Sequence, residues 1–258
     1  MSEDAGDRPK VSLVMAVYNR RDYVAEALDS ILAQTFEDWE LIVWDDGSTD
    51  GSSEIARGYA ERDERVRYER WENRGMYFVL ERALAEARGA YLGWVDSDDR
   101  LLPEALARTA AVLDGRSEVG MVYTDHVEIN EAGAVLGKGR RCGIPYSANR
   151  LLRDFMTFHF RLIRREAFES AGGIDTSFNY AEDYDLCLRL SEVAEVVHLA
   201  EDHYAYRVHG DSISQGMRLG QIEGSATAVR KALRRRGLED RYALDVELVP
   251  RFHIRKRS

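Results

Sequence analysis

The chain has 258 residues, of which 45% are apolar and 32% are charged. This balance is typical of a folded globular domain and excludes a disordered chain. The formal charge of −10 disfavours a nucleic-acid-binding protein, which needs a basic face. No apolar run approaches the roughly 18 residues of a membrane span, and residues 1–10 lack the apolar core of a secretory signal. We therefore expect a cytoplasmic protein without a transmembrane segment.

The first half of the chain alternates between short apolar runs and amphipathic segments. The patterns predict strands over Val11–Val17, Glu40–Trp44, Arg65–Arg70 and Tyr91–Val95. They predict helices over Asp22–Ala33, Ser52–Arg62, Asn73–Ala87 and Pro103–Leu113, the last with its proline at the first helical position. This alternation predicts an α/β fold with a mostly parallel central sheet flanked by helices.

The second half is less regular. Strands are predicted over Gly120–Asn130, Ala194–Leu199 and Tyr204–Val208, helices over Arg165–Ala171, Glu182–Leu190 and Arg218–Arg236, and a basic loop over Gly137–Ser147. No linker separates the two halves, so we expect a single domain. It is preceded by a polar tail at residues 1–9 and followed by a basic helical extension at residues 216–258.

Acidic residues cluster in three places. The clusters are Asp45 and Asp46 after the second strand, Asp96, Asp98 and Asp99 after the fourth, and Glu182, Asp183 and Asp185 at the start of a helix. Ligands of an open α/β sheet bind at the carboxyl ends of its strands, where the first two clusters lie. Each cluster alone also fits a turn or a helix N-terminus. Together they suggest a site for Mg²⁺ or Mn²⁺, which prefer oxygen ligands.

These motifs, taken in order, resemble those of family 2 glycosyltransferases of the GT-A fold. The matching stretches are Val11–Asn19, Trp44–Gly51, Asn73–Gly75, Val95–Asp99, Gly172–Asp175, Ala181–Leu186 with Arg189, and Tyr206–His209. Two further stretches, Asp22–Ala25 and Ile31–Leu41, are similar to a bacterial member of the family. The resemblance covers residues 10–215. It implies that residues 10–100 bind a nucleotide sugar and residues 101–215 bind the acceptor.

The resemblance also implies an activity. Members of the family transfer a hexosyl group from a nucleoside diphosphate sugar to an acceptor hydroxyl, with inversion at the anomeric carbon. For this chain we expect a UDP-sugar as donor, Mn²⁺ or Mg²⁺ as cofactor, and a role in bacterial polysaccharide or glycoconjugate synthesis. The expected partners are the donor and a hydroxyl acceptor, with no nucleic acid.

The nucleotide-binding residues follow from the resemblance. It places the nucleotide against Val17, Tyr18 and Asn19, with the Tyr18 ring stacked on the base. Asp46 would accept a hydrogen bond from N3–H of uracil, which favours uracil because N3 of cytosine is an acceptor. Asp45 would brace the turn instead of contacting uracil. The remaining members of the expected nucleotide-binding set are Arg74, Gly75, Asp96 and Ser97.

Asp96 and Asp98 match the D-x-D motif of the family. By this resemblance Asp98 contacts the metal ion, Asp96 contacts the metal or the ribose, and the metal bridges the donor diphosphate. Asp99 either supports the motif or caps the following helix. His209 either completes the metal site or contacts the diphosphate, or it is a structural histidine.

Asp183 is the candidate general base, which takes the proton from the acceptor hydroxyl as that oxygen attacks the anomeric carbon. Glu182 is the alternative base.

The chain departs from the family pattern in two places. Leu80 stands where the family often has an arginine that reaches the nucleotide, so Arg74 or Arg82 would have to replace it. The segment Gly137–Gly143 is unusually basic, and we expect it to close over the donor. At the C-terminus, Arg230–Arg236 and Arg251–Arg257 either form a solvated basic surface or contact anionic lipid at the inner membrane face.

Other classes fit less well. A nucleotidylyltransferase or a nicotinamide dehydrogenase needs a glycine-rich turn directly after the first strand, and Tyr18–Arg21 contains no glycine. A catalytically silent nucleotide-sugar-binding protein would keep Asp46 and Asp98 but would lack a working base.

Overall fold

The four strands of the N-terminal half lie side by side and run parallel. We analysed a computed structural model, which describes residues 8–178, 180–210 and 218–247. The strands are β1 (Val11–Val17), β2 (Trp39–Asp45), β3 (Val66–Arg70) and β4 (Tyr91–Trp94), and the helices between them are α1 (Val24–Leu32), α2 (Ser52–Ala60) and α3 (Met76–Glu86). All three pairings among these strands are parallel.

The second half adds shorter and more varied elements. They are β5 (Arg100–Leu101), α4 (Ala105–Gly115), β6 (Val119–Ile129), β7 (Val135–Lys138), β8 (Arg161–Arg164), α5 (Arg165–Ser170), α6 (Glu182–Val193), β9 (Glu195–Arg207) and α7 (Arg218–Arg235). Two short 3-10 turns lie at Arg140–Gly143 and Arg150–Leu152.

The strands that the structure describes form one sheet of nine, in the order β3-β2-β1-β4-β8-β6-β9-β5, with β7 paired to β6. β8 is antiparallel to both β4 and β6, so β6 runs in the direction of β4. β9 is parallel to β6. The carboxyl ends of β1, β2, β4, β6 and β9 therefore lie at one edge of the sheet. The predicted α/β class is confirmed; the parallel arrangement holds in the N-terminal half, and the whole sheet is mixed.

The sheet is covered on both faces because its central strands are apolar on both sides. Leu13, Met15 and Val43 face a core that includes side chains of α1, α2 and α4. Val14 and Ile42 face a second core that includes side chains of α3, α5, α6 and α7. Burial on both faces explains why β1 and β2 appear in the sequence as nearly continuous apolar runs.

The start of α4 differs from the prediction. The helix begins at Ala105, and Pro103 lies in the turn before it. The backbone N–H of Leu102 donates to the carbonyl of His203 on β9, and the carbonyl of Pro103 accepts from Thr35. These bonds hold the chain in the sheet beyond β5 and delay the helix by two residues.

Two other expectations about the second half were wrong. The predicted strands at 194–199 and 204–208 form one strand, β9, because shifts in its pairing with β6 accommodate the polar residues between them. Glu201 is paired with Arg108, and Asp202 lies 3.4 Å from the Lys138 amine. The predicted basic loop instead contains the end of β7 and a 3-10 turn.

The basic C-terminal helix packs on the domain. Ala228, Val229, Ala232 and Leu233 of α7 enter the core beside α6. Several of its basic side chains pair with acids of the domain: Arg235 and Arg236 with Glu192, and Lys231 with Asp175. The segment 251–257 lies outside the described residues. In the part of the chain that the structure describes, no helix is both long and apolar enough to cross a bilayer.

Candidate active site

The loops after β1 and β2 interlock at the carboxyl edge of the sheet. Asn19 has a positive φ of 51°. Its N–H donates to the Ser48 hydroxyl at 3.0 Å, and its side-chain oxygen accepts from the N–H of Thr49 at 2.9 Å. Tyr18, next to it, is 47% exposed. The loop is therefore fixed while the Tyr18 ring stays accessible, as stacking on a base requires.

Asp45 braces the turn. Its carboxylate is fully buried and accepts hydrogen bonds from the N–H of Ser48 at 2.8 Å, from the Tyr68 hydroxyl at 3.0 Å and from the Ser53 hydroxyl. The structure therefore supports the bracing role expected for Asp45.

Asp46 joins three parts of the expected nucleotide site. Its N–H donates to the carbonyl of Val17 at 2.8 Å. Its two carboxylate oxygens accept from the N–H groups of Arg74, at 2.8 Å, and Gly75, at 2.9 Å. Asp46 thus fixes the loop that leads into α3, and it brings together residues that lie far apart in the sequence.

An aromatic surface that the sequence analysis missed lies beside this loop. Trp71 is 37% exposed and tilts against Phe78, with ring centroids 6.1 Å apart. The Arg74 guanidinium lies 5.4 Å from the Phe78 ring centroid and 5.8 Å from that of Trp71. Leu80 is buried. Of the two candidates to replace the family's arginine, Arg74 lies at this aromatic surface, and Arg82 is exposed on α3.

Asp98 and His209 meet, although they lie 111 positions apart in the chain. The Oδ2 atom of Asp98 lies 3.0 Å from Nε2 of His209, and it also accepts from Nε of Arg20 at 3.0 Å. The His209 contact joins the D-x-D loop to the end of β9. Arg20 was not among the expected site residues. It lies in the turn after β1, whose lack of glycine argued against other enzyme classes.

The Asp96 carboxyl group has a raised pKa. Desolvation and the neighbouring Asp98 raise the pKa of Asp96 to about 7, with a further contribution from Asp183. Its Oδ2 lies 3.5 Å from Nε2 of His159, a buried residue that the sequence analysis also missed. Burial and the nearby Arg161 hold the pKa of His159 well below its ordinary value, so this imidazole is neutral. Ser97 is buried between the two acids of the motif.

Asp99 supports the motif and does not cap a helix. It is buried, and its Oδ1 accepts the backbone N–H of Arg207 at 2.6 Å. The Arg207 side chain, also buried, donates to the carbonyls of Asp98, Asn130 and Glu131 and pairs with Glu26. Arg207 therefore holds the D-x-D loop and is not placed as a phosphate ligand.

We expect Arg207→Met to destabilise the protein by about 3 kcal/mol, because it leaves buried carbonyl groups without a donor. The measurement is the free energy of unfolding in urea. Arg116→Met is the control, since Arg116 makes only exposed ion pairs with Glu118 and Glu195 and should leave the midpoint close to its original value. Equal stability of the two variants would contradict the role assigned to Arg207.

The donor set fits a divalent cation that also binds a diphosphate. Among residues 8–178, 180–210 and 218–247, no three His, Cys, Asp or Glu side chains form a ready-made metal cluster. Mg²⁺ commonly takes one or two carboxylates and completes its coordination with water and substrate phosphates. Desolvation and the neighbouring Asp98 disfavour the charged form of Asp96, and a bound cation would offset the repulsion between the two carboxylates.

Asp183 lies at the first turn of α6 and is partly accessible, with 23% of its side chain exposed. Its Oδ2 accepts from both Nη1 and Nη2 of Arg161, at 3.1 and 3.2 Å. The alternative base, Glu182, is buried, with an exposed fraction of 6%. Accessibility therefore favours Asp183. Arg161 escaped the sequence analysis because β8 is only four residues long and has an arginine at each end, which gives no sign that one of them is buried.

The basic segment crosses the second half of the sheet near this acid. Gly139 packs directly on His126, where a β-carbon would clash with the imidazole ring. The Arg141 guanidinium lies 4.5 Å from the ring centroid of Phe158 and 5.1 Å from that of Phe155. Gly139 and Arg141 of this segment thus pack on side chains of the second half, and the expected closure of residues 137–143 over a donor stays a prediction.

Taken together, the edge of the sheet carries the exposed Tyr18 ring, the carboxylates of the D-x-D motif and the partly exposed Asp183 carboxylate. The model of glycosyl transferase family 2 matches residues 12–172. The chain therefore belongs to glycosyl transferase family 2. Chondroitin synthase from Escherichia coli is 31% identical over 231 residues, which make up 90% of this chain and 34% of that protein. The chain thus spans about a third of the length of this relative.

Solved structures show the same fold. TarS from S. aureus, residues 1–349 in complex with UDP-GlcNAc, has a TM-score of 0.69 at 22% identity, over 87% of this chain and 66% of that one. The mannosyltransferase PcManGT from Pyrobaculum calidifontis, in complex with GDP-Man and Mn²⁺, has a TM-score of 0.67 at 22% identity, over 90% of this chain and 66% of that one. The expected GT-A fold is confirmed.

Proposed function

We propose that this glycosyltransferase moves a hexosyl group from a UDP-sugar to an acceptor hydroxyl, with inversion and with Mn²⁺ or Mg²⁺. The observation that carries the proposal is that Asp46, Asp98 and Asp183 lie at one edge of the sheet. Asp46 would bind the uracil base, Asp98 the cation, and Asp183 the proton of the acceptor hydroxyl. Relatives with similar folds bind UDP-GlcNAc or GDP-Man with Mn²⁺, which supports a nucleotide-sugar donor and a metal.

The proposal divides the domain by role. Residues 10–100 would bind the nucleotide sugar, residues 101–215 the acceptor, and residues 216–258 form a helical extension. We place the reaction in bacterial polysaccharide or glycoconjugate synthesis, in the cytoplasm. The chondroitin synthase relative supports a sugar acceptor. The ion pairs of α7 favour a structural helix over a lipid-binding one.

Each proposed contact with the nucleotide sugar has a physical basis. The Tyr18 ring would stack on uracil, and the Asp46 carboxylate would accept its N3–H while keeping the Arg74–Gly75 backbone in place. Asp96 and Asp98 would hold the divalent cation, which when bound neutralises charge on the departing diphosphate. His209 and Arg20 already lie at Asp98, where both could stabilise the same negative charge.

Asp183 would complete the reaction. As the acceptor oxygen bonds to the anomeric carbon, the bond from that carbon to the diphosphate oxygen breaks, and its electron pair leaves with the nucleoside diphosphate. The acceptor proton passes to the Asp183 carboxylate. Attack from the face opposite the leaving group inverts the anomeric configuration.

Asp46→Asn tests whether Asp46 contacts the uracil base. Asparagine has one acceptor oxygen, so its amide nitrogen would face a backbone N–H, and we expect UDP affinity to fall about 10- to 100-fold. The affinity ratio of UDP to CDP, measured by calorimetry, should also fall. If the affinities for UDP and CDP fall equally and their ratio is unchanged, Asp46 only holds the loop, and the proposed contact with uracil does not exist.

The proposed activity is tested by UDP release from a panel of UDP-hexoses and UDP-N-acetylhexosamines, with Mn²⁺ and a panel of oligosaccharide acceptors. We expect acceptor-dependent release that stops when EDTA is added. Tight UDP binding without release from any donor would instead support the catalytically silent binding protein.

A further inference from the structure

A buried guanidinium lies directly against the candidate base. Arg161 is the first residue of β8, and its side chain is only 1% exposed. Both of its terminal nitrogens donate to Oδ2 of Asp183. A buried charge is costly unless it is paired. The fold therefore keeps this charge for a specific partner, and that partner is the partly exposed acid at the start of α6.

The guanidinium is itself held from several sides. Nη1 donates to the carbonyl of Thr157 at 3.2 Å and lies 3.6 Å from Sγ of Cys187, one helical turn after Asp183. The Trp94 ring of β4 packs against it, with its centroid 4.9 Å from the guanidinium carbon. These contacts fix the two terminal nitrogens of Arg161 independently of Asp183.

The carboxylate is held at both oxygens. Oδ2 accepts from Arg161, and Oδ1 accepts the N–H of Tyr184 at 2.8 Å. Its rotation is therefore restricted, while 23% of the side chain remains open to solvent. A base that approaches a hydroxyl in only one orientation needs this kind of support, because catalysis falls steeply when reacting groups are misplaced.

The contrast with Arg207 separates this role from simple structural support. Arg207 is as buried as Arg161, but its bonds go mainly to backbone carbonyls, and its acid partner, Glu26, is 40% exposed. The acid that Arg161 contacts is the one at the reacting edge of the sheet.

We propose that Arg161 is the positioning residue for Asp183: it holds the carboxylate oriented toward the acceptor hydroxyl. The inference rests on the proposed function, which makes Asp183 the base.

Other charged groups also surround Asp183. Arg141, from the basic segment after β7, adds positive charge, and Asp96, from the D-x-D loop, opposes it. Glu182 and Asp185 lie on the same helix, and Asp185 is already paired with Arg189. Arg161 is the cation in hydrogen-bond contact with Asp183, so its removal should have the largest effect.

The test compares Arg161→Met, Arg161→Lys and the control Arg164→Met. Arg164 lies on the same strand and donates only to the carbonyls of Leu113, Arg116 and Val119. The readouts are kcat with the best donor from the panel, corrected for the folded fraction, and UDP affinity. For Arg161→Met we expect kcat to fall about 100-fold while UDP affinity stays within about twofold.

Lysine keeps the charge but loses the paired donors, so Arg161→Lys should recover about tenfold of the lost rate. Arg164→Met should keep the original kcat once the folded fraction is taken into account. A kcat of Arg161→Met that falls only with the folded fraction would overturn the proposal. If Arg161→Met does not fold, Arg161→Lys decides, since an unchanged kcat in that variant would overturn it as well.

Asp183→Asn separates the two levels of the argument. If this variant transfers sugar at the original rate, the proposed base is wrong and the role of Arg161 falls with it. If it is inactive while folded Arg161→Met keeps the original kcat, Asp183 remains the base and only the positioning role fails.

Discussion

Asp183→Asn is expected to abolish sugar transfer while leaving donor binding intact. The asparagine side chain has nearly the same shape and can still accept from Arg161, but it cannot take the proton of the acceptor hydroxyl. General base catalysis contributes about 10²- to 10⁴-fold, so kcat should fall by about 1,000-fold. The measurement is acceptor-dependent UDP release at saturating donor, with UDP affinity measured in parallel.

The matched control is Asp63→Asn. Asp63 precedes β3 at the opposite edge of the sheet and pairs with Arg65, so its loss should leave kcat unchanged. Glu182→Gln distinguishes the alternative base. A normal rate in Asp183→Asn together with loss of activity in Glu182→Gln would show that the base is Glu182.

Asp98→Ala is expected to remove the metal dependence of nucleotide binding. Asp98 lies between Arg20 and His209, and with Asp96 it supplies the carboxylates of the proposed cation site. A metal ion contributes several kcal/mol to charge stabilisation on the leaving group, so kcat should fall by about 100-fold or more. The measurement is UDP affinity by calorimetry, with and without Mn²⁺.

In the unchanged protein, Mn²⁺ should strengthen UDP binding, and in Asp98→Ala this gain should vanish. Asp63→Asn again serves as the control and should keep the full effect of Mn²⁺. If Asp98→Ala responds to Mn²⁺ like the unchanged protein, the cation binds elsewhere and the D-x-D assignment is wrong.

The N-terminal half could be predicted well because its signals are local. β1 and β2 are buried on both faces, so their sequences are nearly continuous apolar runs, and α1 between them is clearly amphipathic. The acids at the strand ends can then be placed near one another, because parallel strands end at the same edge of a sheet. The resemblance to the family, rather than the strand pattern, assigned Asp46 and Gly75 to one site, and the structure brings them into contact.

The second half depends on contacts that no local pattern contains. The pairing of β9 with β6 is interrupted by shifts, and the polar residues between 200 and 203 hide the continuity of the strand. β8 has only four residues, too few for a periodic signal. The positions of its neighbours decide its place in the sheet, and these become known only from the fold.

Arg161 and His159 show why part of the site was missed. Both are polar residues near the start of a short strand, and polar residues are usually exposed. Their burial depends on Asp183, which is 22 positions away from Arg161, and on Asp96, which belongs to another loop. The sequence motifs identify acids that contact ligands, but the side chains that orient those acids become visible only in three dimensions.

The central claim is a metal-dependent UDP site, and a melting curve tests it most directly. The protein is heated with UDP, GDP, CDP or dTDP, each with and without Mn²⁺. A ligand at about 100 times its dissociation constant adds about 2.7 kcal/mol, which raises the midpoint by roughly 5–10 °C in a domain of this size. We predict this shift for UDP with Mn²⁺ and a much smaller one for the other nucleotides. If no nucleotide shifts the midpoint in the presence of Mn²⁺, the site does not bind a nucleotide and the account is wrong.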